Sequence, residues 1–530
     1  MPSTGCYAQS AFPSAWSRCF IGTAMKKNTR LLAIGFGVFV VLVVIAAWME
    51  HLRAKGALAA YKKELVAKGE KLTIAENTPP PLKGVTNGAA AVLDAARDLR
   101  ELEDCFQPGR MRMLAPGRAM VSWQQSVLGN DRSDKPMDDL WPGVAVALAA
   151  QREAIEELRA AVESSVVDFA FDYSKGLLAL RLEHLAKIQK GSLVLSHAAV
   201  LDMHDGRRAE AWTNLHAATL LVTRWRGEPV MISDLVHHSV VGITFGTTWE
   251  ALQFPGWDDR QLETLQALWQ PVRFDNPAPA FEMERAMNIA LFAEAREHPG
   301  KLAEVAAGEF DWDQVRDNIF TDPKKALEVA GDMGRLLVWP IWTSYGDEQW
   351  LLGHFQSRVE AARTMHTTYA LTNAWPVLDA GDRAMGTPPK RFLLSHVMED
   401  SYSRVFLLKF ARAEVSRQMM VTALALHRHK LRHGKFPENL AALMPEFLPE
   451  VPRDFIDGQP LRYRPLPDGQ FLLYSIGQDA VDNGGDPSPD PKNPTWRSWN
   501  LCRDWVWPLP ASAAEVAKDA AESAAKRARK

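Results

Sequence analysis

The sequence predicts a mainly α-helical protein with a single transmembrane helix, an irregular helical-hairpin body and a small carboxyl-terminal β-hairpin module. Three observations predict it. Leu31–Met49 is an apolar and glycine run without a charge. Residues 87–434 place apolar residues at three-to-four spacing between short polar breaks, with strand signals nearly absent. The one pair of strand-forming runs divided by turn chemistry falls after residue 455.

Composition sets the frame for these elements. A chain of 530 residues is long enough for several domains, and a hydrophobic fraction of 47% supplies a large core. Its 61 basic and 64 acidic residues leave a formal charge of −3, which argues against a dedicated nucleic-acid binder. Eighteen Trp against eight Tyr suit large rings filling irregular gaps between helices. Cys6, Cys19, Cys105 and Cys502 make no disulfide framework in a chain of this size and read as isolated thiols. A Cys105–Cys502 bridge is the alternative in an oxidising compartment.

Residues 1–24 are polar and patternless and read as disordered, or as an over-extended start, because Met25-Lys26-Lys27 suits the beginning of an export signal. Residues 25–71 read as anchor and stalk. The run from 31 to 49 spans about 28 Å as a helix, enough for a bilayer core. Lys26, Lys27 and Arg30 mark its cytoplasmic flank. No Ala-x-Ala site follows, so retention is expected over cleavage. The charged helix from Glu50 to Lys71 reads as a continuation into solvent. The expected location is a cell (inner) membrane, crossed once, with the carboxyl-terminal body outside the cytoplasm.

Residues 72–86 contain Thr78-Pro79-Pro80-Pro81 and read as a stiff extended linker. In the body, residues 110–139 are irregular. Leu177–Met203, Arg208–Trp225 and Met231–Leu252 read as antiparallel helices broken at Asp205-Gly206 and Gly227-Glu228-Pro229. Later helices are expected at Asp259–Trp269, Pro279–His298, Pro323–Leu337, Glu348–Thr372 and Ser395–Arg432, punctuated by Trp339-Pro340 and Trp375-Pro376. The stretch from Ala199 to Trp212, with Gly206 at its turn, resembles one tetratricopeptide-type hairpin. No second copy stands at a fixed period, so an irregular repeat or bundle is expected.

The sequence carries no nucleophile elbow, zinc helix, phosphate loop or dinucleotide fingerprint. His197 and His204 share a helix face, and His237-His238 follow Asp234 on another helix. Converging on one cleft they would serve acid–base or metal chemistry; otherwise they are ordinary surface or interface histidines. Glu282 and Glu284 point to different faces of one helix and read as a solvated helix start. His429 and His433 could chelate a metal, but the basic run from His427 to Lys435 fits a helix carboxyl end capped by Gly434.

Residues 435–510 form the terminal module. Phe436-Pro437 enters it, and Pro449 and Pro452 force an extended path. The runs Leu461–Arg464 and Phe471–Tyr474 flank Pro467-Asp468-Gly469. The set Gly434, Phe436-Pro437, Leu448-Pro449, Pro452, Asp454, Gly458, Pro460, Tyr463, Leu473-Tyr474-Ser475, Gly477 and Asp479 resembles the carboxyl-terminal module of type II secretion major pseudopilins. That resemblance implies a calcium loop with Asp479, Asp482 and Asp486 as side-chain ligands and oxygens of Leu473 and Ser475 nearby. It covers about 50 residues. The family's processing site is missing, because Gly35-Phe36 is followed by Gly-Val-Phe-Val without the glutamate. The whole arrangement is similar to a group of anchored bacterial helical proteins that supplies no activity to carry over. Tryptophans around Arg503 and Asp504 read as a strand or clasp returning to the body, and residues 511–530 as a loose tail.

These readings favour a non-enzymatic, membrane-anchored extracytoplasmic scaffold or partner-binding protein with a protein partner. The alternatives are a secretion or pilus accessory factor using calcium, and an envelope hydrolase with a His/acid site.

Overall fold

The structure is a computed structural model that describes residues 17–100, 102, 111–127, 139–164, 166–169, 171–176, 182–298, 300–302, 304, 334–395, 402–491 and 498–528. The protein is mainly helical, with one amino-terminal helix apolar enough to cross a membrane and a small carboxyl-terminal strand module. It divides into two compact units.

The first unit comprises Met1–Ala67, Ala295–Gln349 and Pro388–Val397. Its main element is α1 (Ser17–Ala67), a continuous helix of 51 residues. The helix begins within the stretch expected to be disordered, since adding turns to an existing helix costs little once a nucleus is present. From Leu32 its apolar residues are exposed, Leu32 at 72% and Phe36 at 69%. The part after Glu50 is not a free stalk. Leu58 and Leu65 are buried, and Lys62 pairs with Glu348, which also takes Arg296 at 2.6 Å. Nearby, Asp347 is fully buried and accepts hydrogen bonds from Trp339 Nε1 at 2.6 Å and from the backbone N–H groups of Leu393, Leu394 and Ser395 at 2.9 Å each. Four donors on one carboxylate fix the chain on both sides of the Trp339-Pro340 break.

The second unit comprises Lys68–Glu294, Trp350–Thr387 and Met398–Lys530. The expected extended linker opens instead with a one-turn helix, α2 (Ile74–Asn77). Thr73 and Glu76 cap it reciprocally, a Thr-x-x-Glu box readable in the sequence. Next come α3 (Ala89–Asp98), α4 (Trp141–Ala149) and α5 (Arg152–Ser164). The helices α6 (Glu183–His204), α7 (Arg208–Thr223) and α8 (Met231–Leu252) form the expected hairpin sequence, with α6 packed on both successors. Gly206 takes φ 73° at the first turn, and Arg207 and Asn214 hold Asp202 beneath it at 2.7 and 2.8 Å.

Helices α9 (Asp259–Trp269) and α10 (Ala278–Glu297) follow as expected. Helix α11 (Ser344–Thr368) ends at Tyr369, which adopts φ 52°. Helix α12 (Leu371–Met385) contains Pro376 where a break was expected; its indole neighbour Trp375 carries the Arg404 guanidinium 5.3 Å above the ring. Helix α13 (Ser403–His433) packs on α8 and α9 through buried positions on every side, and Gly434 caps it with φ 75° as the sequence suggested.

Two departures concern strands. The irregular stretch after residue 110 contains the hairpin β1 (Met113–Ala115) and β2 (Arg118–Ala119), turned at Pro116-Gly117 with Gly117 at φ 66°. The body is therefore not all-helical. The terminal module holds β3 (Arg462–Pro465) and β4 (Phe471–Ser475), with Arg462 opposite Tyr474. A third strand, β5 (Trp505–Val506), joins β4 antiparallel. The chain then returns as β6 (Leu509–Pro510), parallel to β2, the clasp expected from the tryptophan-rich end. Trp249 Nε1 holds it through the Pro508 carbonyl at 2.8 Å. The tail is the helix α14 (Ala513–Ala528), docked by Arg112 to Asp519 at 2.5 Å, so it is not loose. Cys502 is a free buried thiol, raised to about 11 by burial; Cys6 and Cys105 lie outside the described residues.

Candidate functional site

The acidic loop of the terminal module is built around two carboxylates other than the expected ligands. Asp454 is fully buried and takes the backbone N–H groups of Ile456 and Ile476, the Ser475 hydroxyl at 2.8 Å and Arg462 at 2.9 Å. Burial lifts its carboxyl to about 6. Asp504, also fully buried, takes the N–H groups of Asn483, Gly485 and Asp486 at 3.3, 2.7 and 3.0 Å. The three expected ligands face different partners. Asp479 accepts from the Val481 N–H, Asp482 from Tyr474 Oη and Gly484 N–H, and Asp486 from Ser488 N–H and Arg503. Arg462 also reaches Asp482 at 3.5 Å. Among the described residues no three His, Cys, Asp or Glu side chains are grouped to share an ion. As arranged, Asp482 and Asp486 each stand beside an arginine, and Asp479 is held by the Val481 N–H and the Asn483 amide.

The histidines singled out by spacing have separate structural settings. His204 Nδ1 lies 2.9 Å from the Trp123 carbonyl and its ring stacks on Trp141 at 4.0 Å. His197 is buried on the same helix. His237 stacks on Trp225 at 4.4 Å with Nε2 3.2 Å from the Val222 carbonyl, and burial lowers it to about 4. His238 meets Phe410 edge-on at 4.3 Å and is pushed well below the usual imidazole range by burial, with His237 and Lys409 adding. Carbonyl and aromatic partners hold His204, His237 and His238 as packing groups. His429 and His433 lie 4.4 Å apart with their rings tilted, beside Phe447 at the α13 terminus.

A cluster that sequence spacing did not select lies at the start of α8. Glu228, 3% exposed, accepts from Trp225 Nε1 at 3.3 Å and from the Ser233 hydroxyl, with His184 Nε2 at 3.4 Å. Its carboxylate stands between serine and imidazole, whereas an activated serine needs the imidazole in the middle. All three side chains are closed to solvent, so the group holds a wall and presents no nucleophile. Asp234 next to it has its carboxyl held well above the usual range by burial and by the charges of Glu228 and Glu284. The sequence signal was a carboxylate in the Gly227-Glu228-Pro229 turn between the buried Trp225 and Val230, a setting that needs a partner.

Phe171, which touches His184, separates that group from a cavity of about 670 Å³. Phe171 and Tyr173 line one side, Leu72 to Ala75 another, and Ala286, Ile289, Ala290 and Ala293 of α10 a third. Phe171 leans on His184 at 4.7 Å, and burial, with Glu228, Asp168 and Asp234 adding, pushes the Tyr173 phenol well up. Small residues at three-to-four spacing on α10 leave the space open.

An ion-pair knot fixes the wall carrying Leu72. Glu70, 8% exposed, takes Arg285 at 2.9 Å, both terminal nitrogens of Arg363 at 2.5 and 2.9 Å, and Gln356 at 3.1 Å. Arg285 also donates to the Lys71 carbonyl at 3.0 Å, and Arg363 continues to Glu282 at 2.6 Å. Glu282 thus belongs to the knot and is no solvated helix start. The volume and lining suit an apolar guest held by a few polar groups. No protein-family model, curated protein or solved structure matches the chain at a significant level.

Proposed function

We propose that the protein is a membrane-anchored, non-enzymatic binding protein whose helical body takes an apolar portion of a protein partner into the cavity beside Tyr173. The observation that carries this reading is the cavity itself: about 670 Å³, lined by Ile74, Phe171, Tyr173 and the alanine face of α10. A site of this size and lining suits apolar groups, and the neighbouring Glu228, Ser233 and His184 face one another. Lys26, Lys27 and Arg30 before the apolar run support an amino terminus in the cytoplasm and a body outside it.

The test places a photo-crosslinking residue at Ile289 in the full chain in native membranes. One discrete adduct is expected, and it disappears when Ala290→Trp fills the cavity. An adduct indifferent to that substitution, or no adduct, sinks the reading. Orientation is read separately by labelling Val481→Cys with a membrane-impermeant maleimide on intact cells.

A further inference from the structure

We propose that the segment Leu337–Trp342 is a second membrane contact, lying in the interfacial layer of the bilayer beside α1. The inference rests on reading α1 as a membrane span, and every residue it uses lies in the first unit.

The segment has two faces. Trp339 is fully buried and Thr343 nearly so, while Leu337 and Ile341 are 78% and 68% exposed and Val338 and Trp342 are more than one-third exposed. Trp339 Nε1 is bonded to Asp347, which also grips the backbone of residues 393–395, so the apolar face is held outward on a fixed support. Four large apolar side chains shown together are uncommon on a surface that meets only water.

Contacts to α1 give the height of this face. The Tyr345 ring meets the His51 ring edge-on at 4.9 Å and lies under the Lys55 ammonium at 5.6 Å. The Trp342 backbone lies beside His51. His51 follows Met49, the last residue of the apolar run, by two positions, or about 3 Å along the helix. The headgroup layer extends roughly 5–7 Å beyond the hydrocarbon on each side, and Trp and Tyr concentrate there. Trp48, Met49 and Leu52 of α1 are exposed at the same level, at 62%, 63% and 48%. The apolar face of the segment therefore continues the apolar face of the anchor.

Charge agrees with a lipid surface. Arg53, Lys55, Arg335, Lys390 and Arg391 are exposed in this unit, and Arg335 bonds the Lys390 carbonyl at 3.2 Å. Among the described residues Glu348 is committed to Lys62 and Arg296 and Asp347 to its donors, while Glu50 and Glu297 are exposed acids of this unit. A basic rim around an apolar tip suits an anionic bilayer.

The experiment uses the full chain in vesicles of three parts phosphatidylcholine to one part phosphatidylglycerol. Cys6, Cys19 and Cys105 are replaced by serine, and an environment-sensitive fluorophore is attached at Ile341→Cys, at Leu337→Cys or, for the anchor, at Val38→Cys. Nitroxides placed shallow on lipid chains should quench the labels at 341 and 337 roughly twofold more than a label at Val481→Cys, matching a depth of about 5–10 Å. Quenching by aqueous iodide with none from lipid shows a water-facing segment and overturns the proposal. Protection from both shows protein cover and overturns it too. The label at Val38 reports the anchor independently: its failure to respond to deep nitroxides removes the membrane reading itself.

Discussion

Glu70 and Glu250 are both buried carboxylates in the second unit, and the protein treats them in opposite ways. Burial alone would raise Glu70, but hydrogen bonds from Arg363, Gln356 and Arg285 hold it down at about 2. Glu250, 1% exposed on α8, has no cation among its partners in the described residues. Both oxygens accept from the Ser122 N–H at 3.0 Å, and burial lifts the carboxyl to about 7. One acid is a charged knot tying residues 70–72 to α10 and α11. The other is a clamp on the segment after β2 whose carboxyl keeps its proton up to about pH 7. The difference teaches that burial does not set a carboxylate's state; the donors supplied to it do.

The strongest way to break this comparison is Glu70→Ala. It leaves the Arg285 side chain, 0% exposed, without its carboxylate, and the expected loss is about 3–5 kcal/mol of unfolding free energy in urea titration. A loss below about 1 kcal/mol, the range of exposed pairs, would show that the knot is solvated and the contrast with Glu250 is empty.

Next comes Glu250→Gln followed across pH. The folded value near 7 lies above the ordinary 4.5, so the folded chain binds the extra proton between those values. Stability is then lost as pH rises from about 4.5 through 7, by roughly 3 kcal/mol for a shift of this size. Glutamine keeps an acceptor for Ser122 without the charge, so the variant should match the parent near pH 5 and exceed it near pH 8. Parallel curves for the two proteins would refute the assignment. Glu70 runs the other way: its contribution is complete above about pH 4.5 and fades as pH falls toward 2.

Asp504 sharpens the comparison as a third case. Backbone N–H groups serve it as they serve Glu250, and burial raises it. Asp504→Ala orphans three donors and should cost about 2 kcal/mol, with thermal melts of the full chain as the readout. The smallest effect belongs to calcium. With Asp482 and Asp486 each beside an arginine, calcium titrated into the full chain should give equal heats for the parent and for Asp479→Ala combined with Asp486→Ala. Heat confined to the parent would restore the ligand set that the pseudopilin resemblance implies.

Locally determined features were legible in the sequence. Gly434 takes the left-handed backbone of the cap expected there, and the turns expected at Gly206 and Gly469 are made with φ 73° and 76°. The apolar run was legible because length and hydropathy suffice. What stayed hidden depends on distant partners. Met113–Ala119 carries no alternation long enough to announce a strand, and the strand that completes its sheet is β6. His184, Glu228 and Tyr173 meet through three separate segments, so no spacing rule finds them. The histidines that spacing did select found carbonyls and rings as neighbours, and no local pattern distinguishes that outcome from a cleft.

The parallel pairing of Arg118 with Leu509 carries a consequence in time. Arg118 and the carbonyl it contacts at Pro510 are 392 positions apart, which a ribosome working at about 5–20 residues per second covers in roughly 20–80 s. Throughout that interval β2 has an open edge, and for the last 259 positions the indole of Trp249 lacks its acceptor. Completion of this sheet is therefore a late assembly step, and a nascent chain stalled before residue 508 displays a vacancy that a chaperone or protease can read.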